Sequence, residues 1–399
     1  MNETERFAWL QLAFTPYVGA ESFLSLLKYF GSAQAALGAP ADTVAQLVCH
    51  KQAVAAWQQP NKRSMAQAAA EAALRWEQGE GCRLMLLGDT DYPTMLGEGI
   101  TPPPVLFLRG QTEWLHRPSV AIVGSRHATP QAMRIARDFG AALSDAGITV
   151  VSGMAAGIDT AAHQGALTAA GGTVAVWGTG IDRIYPPANQ KLAYEIAERG
   201  LIVSEFPLGT RPLAGNFPRR NRIIAALSQA VLVVEAALES GSLITAKLAA
   251  DIGREVLAVP GSIDNPHSKG CHKLIKEGAK LAESLEDILQ ECPQLLQNTP
   301  LPSYAIYKES APQPQSVRRP SENTQPEEAA KPNTPSISAP APEAAENAWL
   351  AAMGYDPVHP DQLAEQLAVP AAEVYGRLLE WELEGMIAAL PGGRYQRIA

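Results

Sequence analysis

The sequence predicts an α/β protein built on an extended, Rossmann-like doubly wound sheet, with a helical module before it and a winged helix after it. Three observations carry this. Short apolar runs at Val105–Leu108, Val120–Val123, Thr149–Val151, Val174–Trp177, Leu201–Val203, Val231–Val234 and Val256–Val259 alternate with helical stretches. The hydrophobic period changes near Leu84, from a helical one to this alternation. A proline-rich stretch near residues 300–345 then cuts off a small C-terminal unit. Strands this apolar are buried on both faces, the pattern of a parallel sheet covered by helices on each side.

Taken in order, residues 1–80 read as helical. Phe7, Leu10, Leu12 and Phe14 precede Pro16-Tyr17-Val18-Gly19, and Phe23, Leu24, Leu26, Leu27 and Phe30 recur before Gly31. This is two helices joined by a glycine-bearing turn. The turn lacks lysine, which favours packing or protein contact over a grip on duplex phosphates. Residues 81–295 hold the sheet. Residues 296–345, with ten prolines between Pro300 and Pro342 among Ser, Glu, Gln and Ala, cannot bury enough apolar surface to offset their ordering entropy and read as a disordered linker. Residues 346–399 show three helical patterns and then two short strands about Pro391-Gly392-Gly393, a winged helix. Its third helix, from Ala371 to Gly385, would enter the major groove of duplex DNA, yet it carries Glu373, Glu380, Glu382 and Glu384 against Arg377. Phosphate repulsion points that unit to protein contact or regulation.

At 399 residues the chain exceeds a single core, and its net charge of -9 excludes a generally basic nucleic-acid binder. Cys49, Cys82, Cys271 and Cys292 are scattered, with no paired C-x-x-C spacing, so they read as reduced thiols and no metal site is expected. The N-terminus Met-Asn-Glu-Thr-Glu-Arg is polar, and no apolar run reaches membrane-spanning length. A cytoplasmic protein with no membrane partner is expected.

The chemistry gathers behind the strands. Gly124-Ser125-Arg126, Ser152-Gly153 with Gly157, Gly178-Thr179-Gly180, and Ser240-Gly241-Ser242 with Thr245 and Lys247 follow successive apolar runs. Glycines permit tight turns, and the helix N-termini beyond them offer unpaired N–H groups to anions. Several such loops along one edge suit an extended phosphodiester chain better than one dinucleotide. Between Leu201 and Ala230 the only acid is Glu205, whereas Arg211, Arg219, Arg220 and Arg222 all lie there. In Asn216-Phe217-Pro218-Arg219-Arg220-Asn221-Arg222 an aromatic ring stands among guanidinium groups. That mixture fits unpaired bases, whose faces are free to stack, with phosphates on the arginines. The bland alternative is a core Phe217 beside surface ion pairs. No G-x-x-x-x-G-K-[ST] occurs and no G-x-G-x-x-G follows Val123, which argues against ATP hydrolysis and against a dinucleotide cofactor. Asp159 and His163, at i and i+4, read as a helix cap and a packed histidine before they read as a catalytic pair. Glu235 and Glu239 flank the last glycine loop, where they would either bind a ribose or repel phosphate.

These motifs, in order, resemble the DprA/Smf family of DNA-processing proteins. The resemblance is carried by Asp91-Tyr92-Pro93 with Leu96 and Pro103, Ile122-Val123-Gly124-Ser125-Arg126, Ser152 to Asp159 with Ala162-His163, Gly178-Thr179-Gly180, Ser204-Glu205, Asn216 to Ile224, and Ser240 to Ala246. It implies an N-terminal domain of the SAM or helix-hairpin-helix type, an extended Rossmann domain that dimerises, and a winged helix. It also implies binding of single-stranded DNA without sequence preference and help for RecA in replacing single-strand-binding protein during natural transformation. Neither catalysis nor a cofactor belongs to that description. Carried over by motif, Arg126 contacts phosphate, Phe217 stacks, Arg220 and Arg222 hold the backbone, and Gly124, Ser125 and Gly157 shape the cradle. Asn216, Asn221, Ser242 and Lys247 join the expected site, with Arg219 at a variable position. Some relatives carry a lysine where Leu213-Ala214-Gly215 is neutral here, and Arg211 is the candidate substitute. The rival of another class is a nucleotide-binding phosphoribohydrolase-like enzyme on the same fold. It would need a Pro-Gly-Gly-x-Gly-Thr-x-x-Glu element where this chain has Ser240-Gly241-Ser242-Leu243-Ile244-Thr245.

Overall fold

The computed structural model describes residues 1–296 and residues 349–397 apart from 351, 355, 356, 384, 385, 391 and 392. The expected linker at 296–345 lies outside the described residues except for its first position, as does the end of the helix that was to run to Gly385.

The N-terminal apolar spacings form helices: α1 Glu3–Ala13, α2 Ala20–Phe30, α3 Ala33–Gly38, α4 Ala41–Leu47, α5 Ala55–Gln58 and α6 Pro60–Glu77. Asn2 caps α1 by accepting from the Glu5 N–H, and Gly31 ends α2 in a left-handed conformation. Leu10, Leu12, Phe23 and Leu26 are fully buried, each contributing about 1.5–3 kcal/mol. These helices do not make a separate core. Trp9 donates its indole N–H to the Pro104 carbonyl at 2.9 Å, and Phe14 and Trp76 pack on Phe107 with ring centroids 5.8 and 5.4 Å away. The packing role expected of this module is what these contacts describe.

Among the described residues the main sheet has nine strands: β1 Cys82–Leu86, β2 Val105–Gly110, β3 Ser119–Val123, β4 Thr149–Ser152, β5 Thr173–Val176, β6 Leu201–Ser204, β7 Ala230–Val233, β8 Glu255–Ala258 and β9 Lys280–Leu281. Their order is β1-β2-β6-β5-β4-β3-β7-β8-β9. The strands from β6 to β9 along that order pair in parallel. β1 with β2, and β2 with β6, run antiparallel. The purely parallel sheet of the sequence reading is corrected at this edge. An apolar run reports burial and says nothing of strand direction, so Val105–Leu108 looked like any other.

Alternation along each strand divides the core. Val120, Ile122, Val150 and Leu232 face one side, under α7 Pro130–Asp145 and α8 Ile158–Ala166. Ala121, Val123, Val151 and Val233 face the other, under α10 Asn216–Ala226, α11 Gly241–Asp251 and α12 Lys269–Lys276. Helix α9 Gln190–Arg199 lies between β5 and β6 in the chain, and α13 Leu285–Glu291 closes the body. At the C-terminus, α14 Pro360–Leu367 and α15 Ala371–Leu383 precede the hairpin β10 Ile387–Leu390 and β11 Arg394–Arg397. Val358 bridges to Tyr395, and Leu363, Val374, Leu378 and Trp381 form its own small core. No helix of the described residues is long and apolar enough to cross a membrane.

Candidate nucleic-acid interface

From β3 the chain winds through β4, β5 and β6 on one side, and β7 lies against β3 on the other. The order reverses there, and the crevice outside the carboxyl ends of β3 and β7 is where open α/β sheets bind ligands. A cleft of about 470 Å³ occupies it, lined by Gly124–His127, Ala155, Asp159, Arg220, Asn221 and Ser240–Ser242.

The cleft needs its glycines. A Cβ on Gly124 would lie 2.6 Å from Ile158 Cγ1, and one on Gly157, at φ +77°, would lie 2.3 Å from the Ser125 carbonyl oxygen. Only glycine allows these two loops to meet. The Ser125 N–H donates to the Glu235 carbonyl at 2.7 Å, and the Ser125 hydroxyl accepts from the His127 N–H at 3.1 Å. The buried Glu235 carboxylate accepts from the Thr129 N–H and hydroxyl at 3.1 and 2.8 Å. Glu235 therefore braces the loop ahead of α7, and neither of the two roles weighed for it from sequence describes this contact. Ser240 caps α11 by accepting from the Ser242 N–H, while the N-cap of α8 is Gly157, which has no side chain to offer. The N-terminal ends of α8 and α11 both border the cleft, and their partial positive charge favours an anion.

Beside the cleft stands the aromatic residue. Phe217, in the first turn of α10, is half-buried, and the exposed Arg126 guanidinium lies over its ring, 5.2 Å from the centroid. Gly178 lets the ring settle on backbone, since a Cβ there would lie 2.9 Å from Phe217 Cδ1. Tyr185 flanks it with centroids 5.7 Å apart and planes at 42°. A smaller pocket of about 80 Å³ opens beside them, sharing Arg126, Ala155 and Arg220 with the cleft. Sequence reasoning missed Tyr185. Its signal was position, five residues beyond the Gly178-Thr179-Gly180 loop already singled out.

The arginines divide into three environments. Arg220 is 4% exposed, and its Nη1 donates to the carbonyls of Gly153 and Val176. It thus fastens α10 to the ends of β4 and β5. Burial pulls its pKa down to about 10, with neighbouring Asp159 opposing and Arg126 adding to the fall. Arg126 and Arg220 therefore address each other across one site. Asp159, also buried, accepts from the Gly153 and Ala155 N–H groups at 3.1 and 3.2 Å; burial pushes its carboxyl up against the pull of Arg220. His163 is fully buried with Nδ1 2.7 Å from the Thr173 hydroxyl, and burial holds it down at about 3. His163 is the packed ring expected, but Asp159 is not the helix cap: Gly157 holds that position, and the carboxylate instead ties back the loop at Gly153 and Ala155. Arg219 and Arg222 share the buried Glu205 Oε2 at 3.0 and 2.5 Å, and Arg222 also donates to the Thr101 carbonyl at 2.7 Å. Both line a groove against Tyr17 and Gly19 of the turn between α1 and α2 and Ala20 at the start of α2. The sequence reading gave Arg220 and Arg222 to the phosphates; the structure satisfies both guanidiniums largely from within the protein.

Asn221 accepts from Arg220 Nε at 3.1 Å and borders the cleft, as does the buried Ser242. Asn216, which opens α10, donates to the Arg211 carbonyl at 3.5 Å. Lys247 is apart from the rest, exposed along a second groove between α11 and α12. Gly124, Ser125, Arg126, Gly157, Phe217, Arg220, Asn221 and Ser242 are brought together; Arg219, Arg222 and Lys247 are not.

Comparison with known proteins decides the family. The model of DNA recombination-mediator protein A matches residues 83–293, the DprA-like N-terminal HHH domain residues 3–54, and the DprA winged helix domain residues 331–393. The chain belongs to this family. It is 40% identical over 325 residues to Protein Smf of Escherichia coli, covering 81% of this chain and 79% of that one. It is 47% identical over 203 residues to DNA processing protein DprA of Streptococcus pneumoniae, covering 51% and 72%. The X-ray structure of DNA processing protein A from Streptococcus pneumoniae is similar at a TM-score of 0.62 and 36% identity, over 72% of this chain and 97% of that one. The family and fold class expected from the motifs both hold, including the winged helix and the helical N-terminal domain.

Proposed function

We propose that the cleft and its aromatic rim bind single-stranded DNA. Phosphates lie on Arg126 and on the N–H groups at the starts of α8 and α11, and a base stacks on Phe217. The single observation that carries the reading is the exposed Arg126 guanidinium 5.2 Å over the half-buried Phe217 ring, at the sheet's switch point. A cation and a π-face on one rim answer the two parts of an unpaired nucleotide. Phosphate and stacking contacts read no base edge, which supports binding with broad sequence tolerance. In this reading Arg220 and Asp159 position the loops, and Arg219 with Glu205 and Arg222 forms a separate, partly neutralised patch.

Membership in a family of recombination mediators supports the wider reading: a cytoplasmic homodimer that places RecA on the strand in place of single-strand-binding protein, without catalysis of its own. Two linked clefts would raise avidity for a strand long enough to reach both.

Phe217→Ala tests the stacking. The loss should be about 1–3 kcal/mol of binding, roughly 5- to 150-fold, with the thermal midpoint unchanged. The log affinity should fall against log salt with a slope of about 0.7 per phosphate engaged. Unchanged affinity for oligo(dT) in the variant removes Phe217 from the site. Release of ribose 5-phosphate from nucleoside monophosphates would favour the enzymatic rival.

A further inference from the structure

We infer that Glu235 is a positioning residue for the strand site: through the loop 125–129 it sets where the Arg126 guanidinium stands, so that removing this acid weakens the hold on an anion. The inference rests on the single-strand reading above and names what keeps that site's exposed cation in place. One residue clasps both ends of the loop. At the front the Ser125 N–H donates to the Glu235 carbonyl at 2.7 Å, and at the back the Thr129 N–H and hydroxyl donate to its carboxylate at 3.1 and 2.8 Å. Arg126 lies between them.

The clasp is itself held on both sides. Just before it the Val234 N–H donates to the Val123 carbonyl of β3 at 3.1 Å, and just after it the Ala236 carbonyl accepts from the Gly270 N–H of α12 at 2.7 Å. The Thr129 hydroxyl also caps α7 by accepting from the Ala132 N–H at 3.2 Å, which carries the contact into the helix. Arg126 has no anchor of this kind. Its side chain is exposed, and among the described residues its guanidinium makes no hydrogen bond and rests on the Phe217 ring. A side chain this free reaches a phosphate from wherever its backbone is held, so precision must come from the loop.

Charge alone argues the other way. Glu235 is 3% exposed, and its carbonyl oxygen would lie 2.9 Å from a Cβ on Gly124, which lines the cleft. A carboxylate so near an anion site repels phosphate, and simple electrostatics predicts tighter binding once it is neutralised. Positioning predicts weaker binding when the clasp is lost. The sign separates the two.

The test is a fluorescence-anisotropy titration of oligo(dT) at several salt concentrations with the full chain, Arg126→Ala, Glu235→Ala, Glu235→Gln and the double variant Arg126→Ala/Glu235→Ala. Arg126→Ala should weaken binding about two- to fivefold and take about 0.7 off the salt slope. Glu235→Ala should reproduce both changes, and on top of Arg126→Ala it should add less than about twofold. Glu235→Gln can still accept the Thr129 N–H and donate to its hydroxyl, so it should bind at least as well as the wild type. Should Glu235→Ala fail to fold, Thr129→Val breaks the hydroxyl contact and is read on the same scale against Thr129→Ser. Tighter binding by Glu235→Ala, equal losses with and without Arg126, or equal losses for Ala and Gln at 235 each overturn the inference and leave the single-strand reading standing. Absence of binding by the wild type sinks both.

Discussion

Two helices of similar length, α10 in the body and α15 in the winged helix, occupy places where DNA-binding folds commonly present a reading surface. Their charges are arranged in opposite ways. On α10 the arginines are held from within: Arg220 by the Gly153 and Val176 carbonyls with Asp159 nearby, and Arg219 and Arg222 by Glu205. On α15 the buried face is Val374, Leu378 and Trp381, while Glu373, Glu380 and Glu382 are exposed and Arg377 is paired with Glu380 at 2.8 Å. Tyr375 and Leu379 stand out beside those acids. The winged-helix fold alone therefore does not imply a duplex reader: the acids on α15 carry the wrong charge for phosphate at the position where such folds read DNA.

The largest expected effect breaks the organised side of this contrast. Arg220→Ala strips the buried Gly153 and Val176 carbonyls of their donor, and should cost about 1–3 kcal/mol for each acceptor left unmet in a urea unfolding titration. Glu373→Ala on α15 should shift stability by less than about 0.5 kcal/mol. Similar costs for the two would mean that Arg220 is not the staple its contacts describe.

Acid should find the same weak point. His163 is held neutral in the fold with a pKa of about 3, against 6.5 for an ordinary histidine. Above 6.5 both states are neutral and nothing changes. As pH falls from 6.5 towards 3 the unfolded chain takes up the proton and the fold does not, so stability should decline with a slope approaching about 1.4 kcal/mol per pH unit. Asp159 acts in the opposite sense: its raised carboxyl contributes stability that is full below 3.8 and lost as pH rises through its folded value. His163→Gln should flatten the decline between 6.5 and 3. Parallel pH profiles for wild type and variant would count against it.

The smallest effect on single strands is expected from α15. Reversing Glu373, Glu380 and Glu382 to lysine in the full chain should create a salt-sensitive affinity for duplex DNA, while single-strand affinity moves by less than about twofold. A matching change in single-strand binding would show that the two helices do not act separately.

Much of the body was legible because a run such as Val231–Val234 can hardly be anything but a buried strand. β1 and β9 were not, since Cys82–Leu86 carries Arg83 among its apolar residues and Lys280–Leu281 is a pair of exposed positions. In the site, Arg126 and Phe217 stood out as an exposed cation and a ring beside glycine loops. Arg220 misled because composition was weighed and phase was not. It lies on the same stripe of α10 as the buried Ile223, Ile224 and Leu227, at spacings of three, four and seven residues, and that periodicity points it inward. The same test on α11 places Lys247 off the buried stripe of Ser242, Thr245, Ala246 and Ala249. Glu205 was visible as the only acid of its region, but its meeting with both Arg219 and Arg222 depends on how β6 and α10 lie together in space.

The resting contact of Arg126 with Phe217 shapes how tenaciously such a site can hold. An incoming base must dislodge a guanidinium that already occupies the ring, a contact of about 0.5–1 kcal/mol at an exposed position. The net gain is the difference between two partners of one surface, and the displaced side chain supplies a ready competitor for every departing base. In the proposed single-strand reading, a base leaves without baring the ring, so each contact there is individually weak.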